Sequence, residues 1–218
     1  MTGDAQLVDY YAKRAQEYER IYEKPERQSD LASLRKLCAG TFTSRKVLEI
    51  ACGTGYWTQV ISQTAESITA IDINEEVLQI ARAKTYGCGI RFHQADVFGL
   101  KPASQNGFTA GLAVAWWSHL RKSQIDDFLR HIHERFPPGA LLVFIDNKFV
   151  AGSNTPISRT DDEGNTYQIR KLDDGSAHEV LKNFPDEHEV RSWIGNSASE
   201  ICWTELTYYW VLAYKLSG

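Results

Sequence analysis

Val47-Leu48-Glu49-Ile50-Ala51-Cys52-Gly53-Thr54-Gly55-Tyr56-Trp57-Thr58 is the stretch that decides the fold. Residues 47–51 form a short, mostly apolar run, as expected of a strand buried on both faces of a sheet. Small residues follow, and a helical window begins at Trp57. Gly53 and Gly55 can take backbone conformations closed to other residues and let a ligand approach the main chain. The helix start just beyond offers free N–H groups to a polar or anionic group. Strand, glycine turn and helix in that order make a cofactor loop.

Outward from this unit, apolar runs recur over residues 68–73, 90–94, 108–115 and 141–146. Helical windows over 75–84 and 124–136 lie between them, and Pro137-Pro138-Gly139 closes the last. Alternating strand and helix predicts an α/β fold with a parallel, doubly wound sheet. Residues 200–216, rich in Trp, Thr, Tyr and Val, predict a terminal antiparallel hairpin. Ahead of the sheet, residues 4–22 carry Leu7, Tyr10, Tyr11, Ala15, Tyr18 and Tyr22 near the period of one helical face. A second helix is expected after Ser29 as its N-cap. Residues 151–198 break the alternation with turn formers such as Gly152, Gly164 and Asp173-Asp174-Gly175, and read as an insertion covering the site. The expected organisation is a single domain over 1–218. It comprises a helical cap (1–45), a cofactor-binding core (46–150), the insertion (151–198) and the hairpin (199–218).

With 218 residues the chain can bury one large core. Its 24 Lys plus Arg against 28 Asp plus Glu leave a formal charge of −4, a poor match to nucleic acid. The opening residues lack the basic and apolar segments of a secretory signal, and no run approaches a membrane span. Cys38, Cys52, Cys88 and Cys202 are spaced for neither a disulfide frame nor zinc. His131 and His133 point to different faces of one predicted helix. A cytoplasmic protein with reduced thiols and no metal is expected.

Asp72 and Asp96 fall at the ends of the second and third predicted strands. Asp72 can accept both hydroxyls of a ribose, and Asp96 with the Val97 backbone can recognise an adenine amino group. Together with the glycine loop they outline an adenosine pocket. A dinucleotide fingerprint wants a third glycine where Thr58 stands, which weakens an NAD reading.

Glu49-Ile50-Ala51-Cys52-Gly53-Thr54-Gly55, Ile71-Asp72-Ile73 and Gln94-Ala95-Asp96-Val97 resemble the first three motifs of class I S-adenosylmethionine-dependent methyltransferases, with Ala51 in place of the usual first glycine. The likeness runs from Tyr10 to the terminal hairpin. It implies a Rossmann-like, doubly wound seven-stranded sheet, mostly parallel with an antiparallel C-terminal hairpin, and helices on both faces. It also implies S-adenosyl-L-methionine as cofactor and S-adenosyl-L-homocysteine as product. Cofactor contacts then fall to Tyr11, Arg14, Glu49, Ala51, Gly53, Gly55, Trp57, Asp72, Ile73, Asp96, Val97 and Ala115. The stretch from Tyr10 to Tyr18 resembles the N-terminal helix of small-molecule members, in which an arginine, here Arg14, meets the cofactor's carboxylate and aromatics shield its methyl end.

Trp116-Trp117-Ser118-His119 follows the fourth strand, where open α/β sheets place their ligands. Imidazole can take a proton near neutral pH, so His119 is the candidate catalytic base. The other reading is that His119 caps the next helix or bonds within its loop, and a carboxylate or phosphonate nucleophile needs no base. Of Trp116 and Trp117 one is expected in the core and one against the ligand, with Trp117 and Tyr18 assigned to the substrate. Residues 169–175, followed by Lys182-Asn183-Phe184, are similar to the acceptor region of small bacterial O-methyltransferases that act on phosphonate or related acidic groups. That resemblance makes Arg170 and Lys182 an acceptor clamp, an arginine fork plus a compact charge. The other reading is two solvated surface cations. Ala115-Trp116-Trp117-Ser118 lacks the Asn/Asp-Pro-Pro-aromatic signature of DNA-base methylation.

The expected activity is methyl transfer to an oxygen of a small metabolite, carboxylate, phosphonate or hydroxyl. The alternatives are N-methylation of a small amine, a non-catalytic S-adenosylmethionine-binding protein and, last, an NAD-dependent oxidoreductase. The expected partner is a small-molecule acceptor, with no nucleic acid and no membrane, for a monomer or homodimer.

Overall fold

The computed structural model describes residues 5–100 and 107–218; residues 1–4, read above for a leader, lie outside them. The strands are β1 (Lys46–Ile50), β2 (Ser67–Asp72), β3 (Gly89–Gln94), β4 (Ala110–Val114), β5 (Leu141–Asn147), β6 (Arg159–Thr160), β7 (Thr166–Lys171), β8 (Ala177–Leu181), β9 (Ala198–Glu205) and β10 (Tyr209–Leu216). Seven of them form one sheet in the order β3-β2-β1-β4-β5-β10-β9. β1 to β5 pair in parallel, and β10 runs antiparallel to both β5 and β9. This is the mixed, doubly wound sheet expected. The chain winds from β1 out to β3 and crosses back to β4, so the order reverses between β1 and β4, where open sheets leave a crevice at the carboxyl ends.

The helices are α1 (Ala5–Lys13), α2 (Gln28–Thr41), α3 (Tyr56–Ile61), α4 (Glu75–Arg82), α5 (Ile125–His133) and α6 (Glu187–Ile194). Successive strand residues point to opposite faces, and each face has its own core. Val47, Ile68, Val143 and Val211 pack with Leu31, Leu34 and Ile61 of α2 and α3. Leu48, Phe144 and Leu212 pack with Phe128 and Ile132 of α5 and Val190 of α6. Each such side chain contributes about 1.5–3 kcal/mol by leaving water. No helix of the described residues is long and apolar enough to cross a membrane.

Three local expectations need correction. The helix read over 4–22 is broken: α1 ends at Lys13 and the chain continues as a 3-10 helix, Ala15–Tyr22. The break lets Tyr10 pack on Leu172 and Val180 of the insertion while Tyr22 packs on the α2–α3 core. Ser29 is not an N-cap, because Pro25 starts a 3-10 turn, Pro25–Arg27, that runs straight into α2 at Gln28. The insertion is a built element rather than a run of turns: β6-β7-β8 form a small antiparallel sheet, followed by α6 behind an Asp186/Glu189 capping box. Its turn formers mark the connections, with Gly164 (φ 77°) between β6 and β7 and Gly175 (φ 83°) between β7 and β8.

Candidate active site

Past β1 the chain coils tightly through left-handed Ala51 (φ 51°), Gly53 (φ 55°) and Gly55 (φ 78°). For Ala51 that conformation costs about 1–2 kcal/mol, which the surrounding contacts must offset. One such contact is Asp72 at the end of β2. Its Oδ2 accepts the Gly53 N–H at 2.9 Å and its Oδ1 accepts the Asn74 N–H at 2.9 Å. At the end of β3, Asp96 accepts the Phe98 N–H at 3.0 Å and so fixes the turn at Val97. Burial pushes the Asp72 carboxyl up from its usual range, against the hydrogen bonds to Asn74 and Gly53.

A cavity of about 340 Å³ opens over these strand ends. Ala51, Gly53, Asp72, Ile73, Asp96, Val97, Ala115 and Trp116 line it, closed on the N-terminal side by Tyr11 and Tyr18. The residues fit an adenosyl group. Each Asp72 oxygen has one backbone donor and a lone pair left for a hydroxyl, while Ile73 and Val97 provide apolar walls for a base.

A second cavity of about 260 Å³ adjoins the first; both are lined by Tyr11, Tyr18, Ala115 and His119. Arg14, Arg170 and Lys182 line only this second lobe. His119 sits at the junction, 7% exposed. Its Nδ1 lies 2.7 Å from the Leu181 carbonyl oxygen and its Nε2 lies 2.7 Å from the Tyr11 hydroxyl. A carbonyl only accepts, so Nδ1 carries the proton and Nε2 accepts the Tyr11 O–H. Burial, reinforced by the Lys182 and Arg170 charges, holds its pKa well below the usual value, so the ring is neutral.

Of the two acceptor candidates Lys182 is buried and Arg170 half-buried, and both face the second lobe. Arg170 donates from Nε (3.2 Å) and Nη2 (2.8 Å) to Gln168 Oε1, and Nη1 reaches the Tyr11 hydroxyl at 3.5 Å. Lys182 Nζ lies 2.9 Å from Asp146 Oδ1 at the end of β5 and also donates to Ser118 Oγ. Burial pushes the Lys182 pKa down to about 8 despite its carboxylate partner.

Four residues assigned to ligands line neither cavity. Trp57 is in the α2–α3 core, its indole N–H donating to the Tyr22 hydroxyl at 3.1 Å. Trp117 is 2% exposed and packs edge-on against Phe144 and Trp210, so the substrate assignment belongs to the core. Its neighbour Trp116 faces the cofactor cavity instead. Left-handed Ala115 (φ 55°) turns the chain into the 3-10 turn Trp117–His119, which carries Trp116 and His119 to the cavity and Trp117 away. Gly55 serves helix packing: a side chain there would meet Tyr86 Oη at 2.5 Å and Ala81 Cβ at 3.0 Å. Glu49 is 2% exposed with one oxygen lacking a hydrogen-bond partner, and burial pushes its carboxyl up to about 8. The sequence reading missed Lys24 and Arg27, which also line the second lobe.

Residues 47–139 match a family model described as a methyltransferase domain. The structure of a DhpI–SAH complex is 25% identical and superposes with a TM-score of 0.78 over 97% of this chain and 96% of that one. The chain carries a methyltransferase domain. A DhpI–SAM–HEP complex, 24% identical with a TM-score of 0.79, covers 98% of this methyltransferase and 99% of that chain. Magnesium protoporphyrin IX methyltransferase (ChlM) from Synechocystis PCC 6803 with bound SAM, 16% identical, has a TM-score of 0.64 and covers 98% of each chain. These two share the fold. A curated relative, malonyl-[acyl-carrier protein] O-methyltransferase of Bacillus cereus, is 27% identical over 122 residues. The match spans 55% of this methyltransferase and 39% of that protein, less than half its length.

The first cavity, with Asp72 and Asp96 at its strand ends, fits S-adenosylmethionine. Asp72→Ala removes an acceptor of charge-assisted hydrogen bonds worth about 1.5–3 kcal/mol. Titration calorimetry should therefore show S-adenosylhomocysteine affinity weakened about 10- to 100-fold. An unchanged affinity would take the ribose contact away from Asp72.

Proposed function

We propose that this methyltransferase transfers its methyl group to an oxygen of a small acidic acceptor, a carboxylate or a phosphonate. The observation that carries the reading is Arg170, a half-buried guanidinium in the lobe that meets the cofactor cavity, with no carboxylate within ion-pair distance among the described residues. Bound S-adenosylmethionine supplies a methyl group activated on sulfonium for in-line displacement. The chain's own part is placement and exclusion of water. Arg170 holds the acceptor oxyanion through parallel N–H bonds, with its fork already oriented by Gln168. Lys182 adds positive charge behind it. Tyr11 and Tyr18 wall the junction through which the methyl passes. The O-methyltransferase named above supports oxygen as the nucleophile, and a lobe so rich in cations disfavours the protonated amine that N-methylation would begin from.

An acidic oxygen is already ionised at neutral pH, so this chemistry needs no base. His119, neutral and bonded through both ring nitrogens, is a positioning residue that holds Tyr11 against the junction. His119→Ala should lower kcat on an acidic acceptor about tenfold and leave the shape of its pH profile between about 6 and 8 unchanged. An acidic limb present in the wild type and lost in the variant would restore it as a base. Thermal shift gives the direct binding test. With S-adenosylhomocysteine saturating, small carboxylates or phosphonates should raise the melting temperature and their neutral amides should not; equal shifts would contradict the acidic acceptor.

The organisation proposed with this function is one domain over 1–218, divided as the sequence suggested. Its four cysteines are free thiols, which supports a cytoplasmic location.

A further inference from the structure

Resting on that reading, we propose that the acceptor carries two separate acidic groups, one held by Arg170 beside the point of methyl transfer and the other by Lys24 and Arg27 on a second wall of the same lobe.

The first argument is charge. Arg14, Lys24, Arg27, Arg170, Lys171 and Lys182 line the lobe together, against the carboxylates of Glu17 and Asp146, and of these cations Lys171 is exposed, so water screens it. Asp146 is taken by Lys182 at 2.9 Å. Glu17 faces Arg20 at 3.9 Å and accepts the Asp173 N–H. If Arg14 meets the carboxylate of the cofactor, one acidic acceptor group answers Arg170, and besides the exposed Lys171 it is Lys24 and Arg27 that are left over. Among the described residues neither has a carboxylate within 4.0 Å. Crowded like charges in a partly dry cavity repel, and a second anion relieves that repulsion.

The second argument is construction. Arg27 is 5% exposed and lies over the rings of Tyr208 and Tyr209, 5.4 and 5.7 Å from their centroids. Its Nε and Nη2 donate to Ser153 Oγ at 3.1 and 2.9 Å. Lys24 Nζ donates to the Ser153 carbonyl, which leaves two of its three donors for a ligand. Ser153 therefore fixes both cationic heads without neutralising them. The acid that shares Ser153, Glu26, accepts from its hydroxyl at 2.8 Å but is exposed, so water screens its charge. This wall comes from the turn Pro25–Arg27 and the loop at Ser153, whereas Arg170 belongs to β7, so the two sets of donors stand on different elements. The acceptor class is a small diacid: a dicarboxylate or a phosphonocarboxylate.

The test is calorimetry on the protein saturated with S-adenosylhomocysteine. The probes are the dicarboxylates from malonate to adipate and their monoacid counterparts from propionate to hexanoate, titrated into wild type, Lys24→Met and Lys24→Arg. In the wild type the best-fitting diacid should bind at least about tenfold tighter than its monoacid, the worth of one further charge-assisted contact. Lys24→Met should weaken that diacid at least about fivefold more than the monoacid, and Lys24→Arg should restore the preference. If Lys24→Met weakens both acids by the same factor, or the wild type shows no diacid preference, the lobe reads one anion; the two-group inference fails while the acidic-acceptor reading stands. If no acid binds the wild type, both fall.

Discussion

Arg170→Met is expected to lower kcat/KM for an acidic acceptor about 10- to 100-fold, from the loss of charge-assisted bonds worth about 1.5–3 kcal/mol. The size of the effect follows from preorganisation. Gln168, 2% exposed, is itself held by the Thr155 carbonyl at 2.6 Å and takes the Nε and Nη2 edge of the guanidinium, so little rotamer freedom remains to be lost when an oxyanion arrives. Arg170→Lys should recover only part of the loss, because an ammonium keeps the charge but not the fork. Steady-state kinetics on an acidic acceptor and its neutral isostere decide the point: an equal loss on both would show that Arg170 supports the fold and not the substrate. The same lobe gives a pH dependence with a definite sign. Lys182 titrates at about 8, so KM for an acidic acceptor should rise as pH increases through that value and the ammonium discharges.

Lys182→Met should destabilise the protein by about 3 kcal/mol, lowering the melting temperature by roughly 6–12 °C for a chain of this size. Lys182 is 3% exposed and the Asp146 side chain is fully buried, so deleting the ammonium strands a carboxylate in a dry site. The loss stays at the low end for a broken buried pair because Asp146 keeps the Ser118 N–H at 2.9 Å, the Ser118 hydroxyl at 2.9 Å and the Asn147 N–H at 2.7 Å. This cluster ties three pieces of chain together: the end of β5, the turn after β4 and the segment just past β8. The double variant Lys182→Met/Asp146→Leu should recover most of the stability, since removing both charges leaves none unpaired. A melting temperature unmoved by Lys182→Met would mean the pair is not formed.

The strand ends were legible because their chemistry is local. Gly53, Asp72 and Asp96 follow strands whose apolar runs are unbroken, and parallel topology then places all three at one edge of one crevice. Arg170 was legible as chemistry but not as burial: nothing in residues 169–175 shows that β6-β7-β8 fold into a sheet that turns the side chain inward. Trp57 and Trp117 went to the wrong place for a related reason. A tryptophan suits a ligand wall and a core alike, and the choice at Trp117 rests on one left-handed residue, Ala115, that no composition signals. Lys24 and Arg27 lie between helices with no periodicity to mark them, and they reach the lobe only because the 3-10 turn docks against Ser153 and the rings of Tyr208 and Tyr209.

The most direct measurement is product analysis with methyl-labelled S-adenosylmethionine and a mixed panel of small carboxylic acids, phosphonic acids, alcohols and amines. The label is expected in methyl esters of the acids, with diacids the better substrates and the neutral isosteres unreactive. Label found only on amines or neutral hydroxyls, with the acids neither methylated nor competing, would contradict the account.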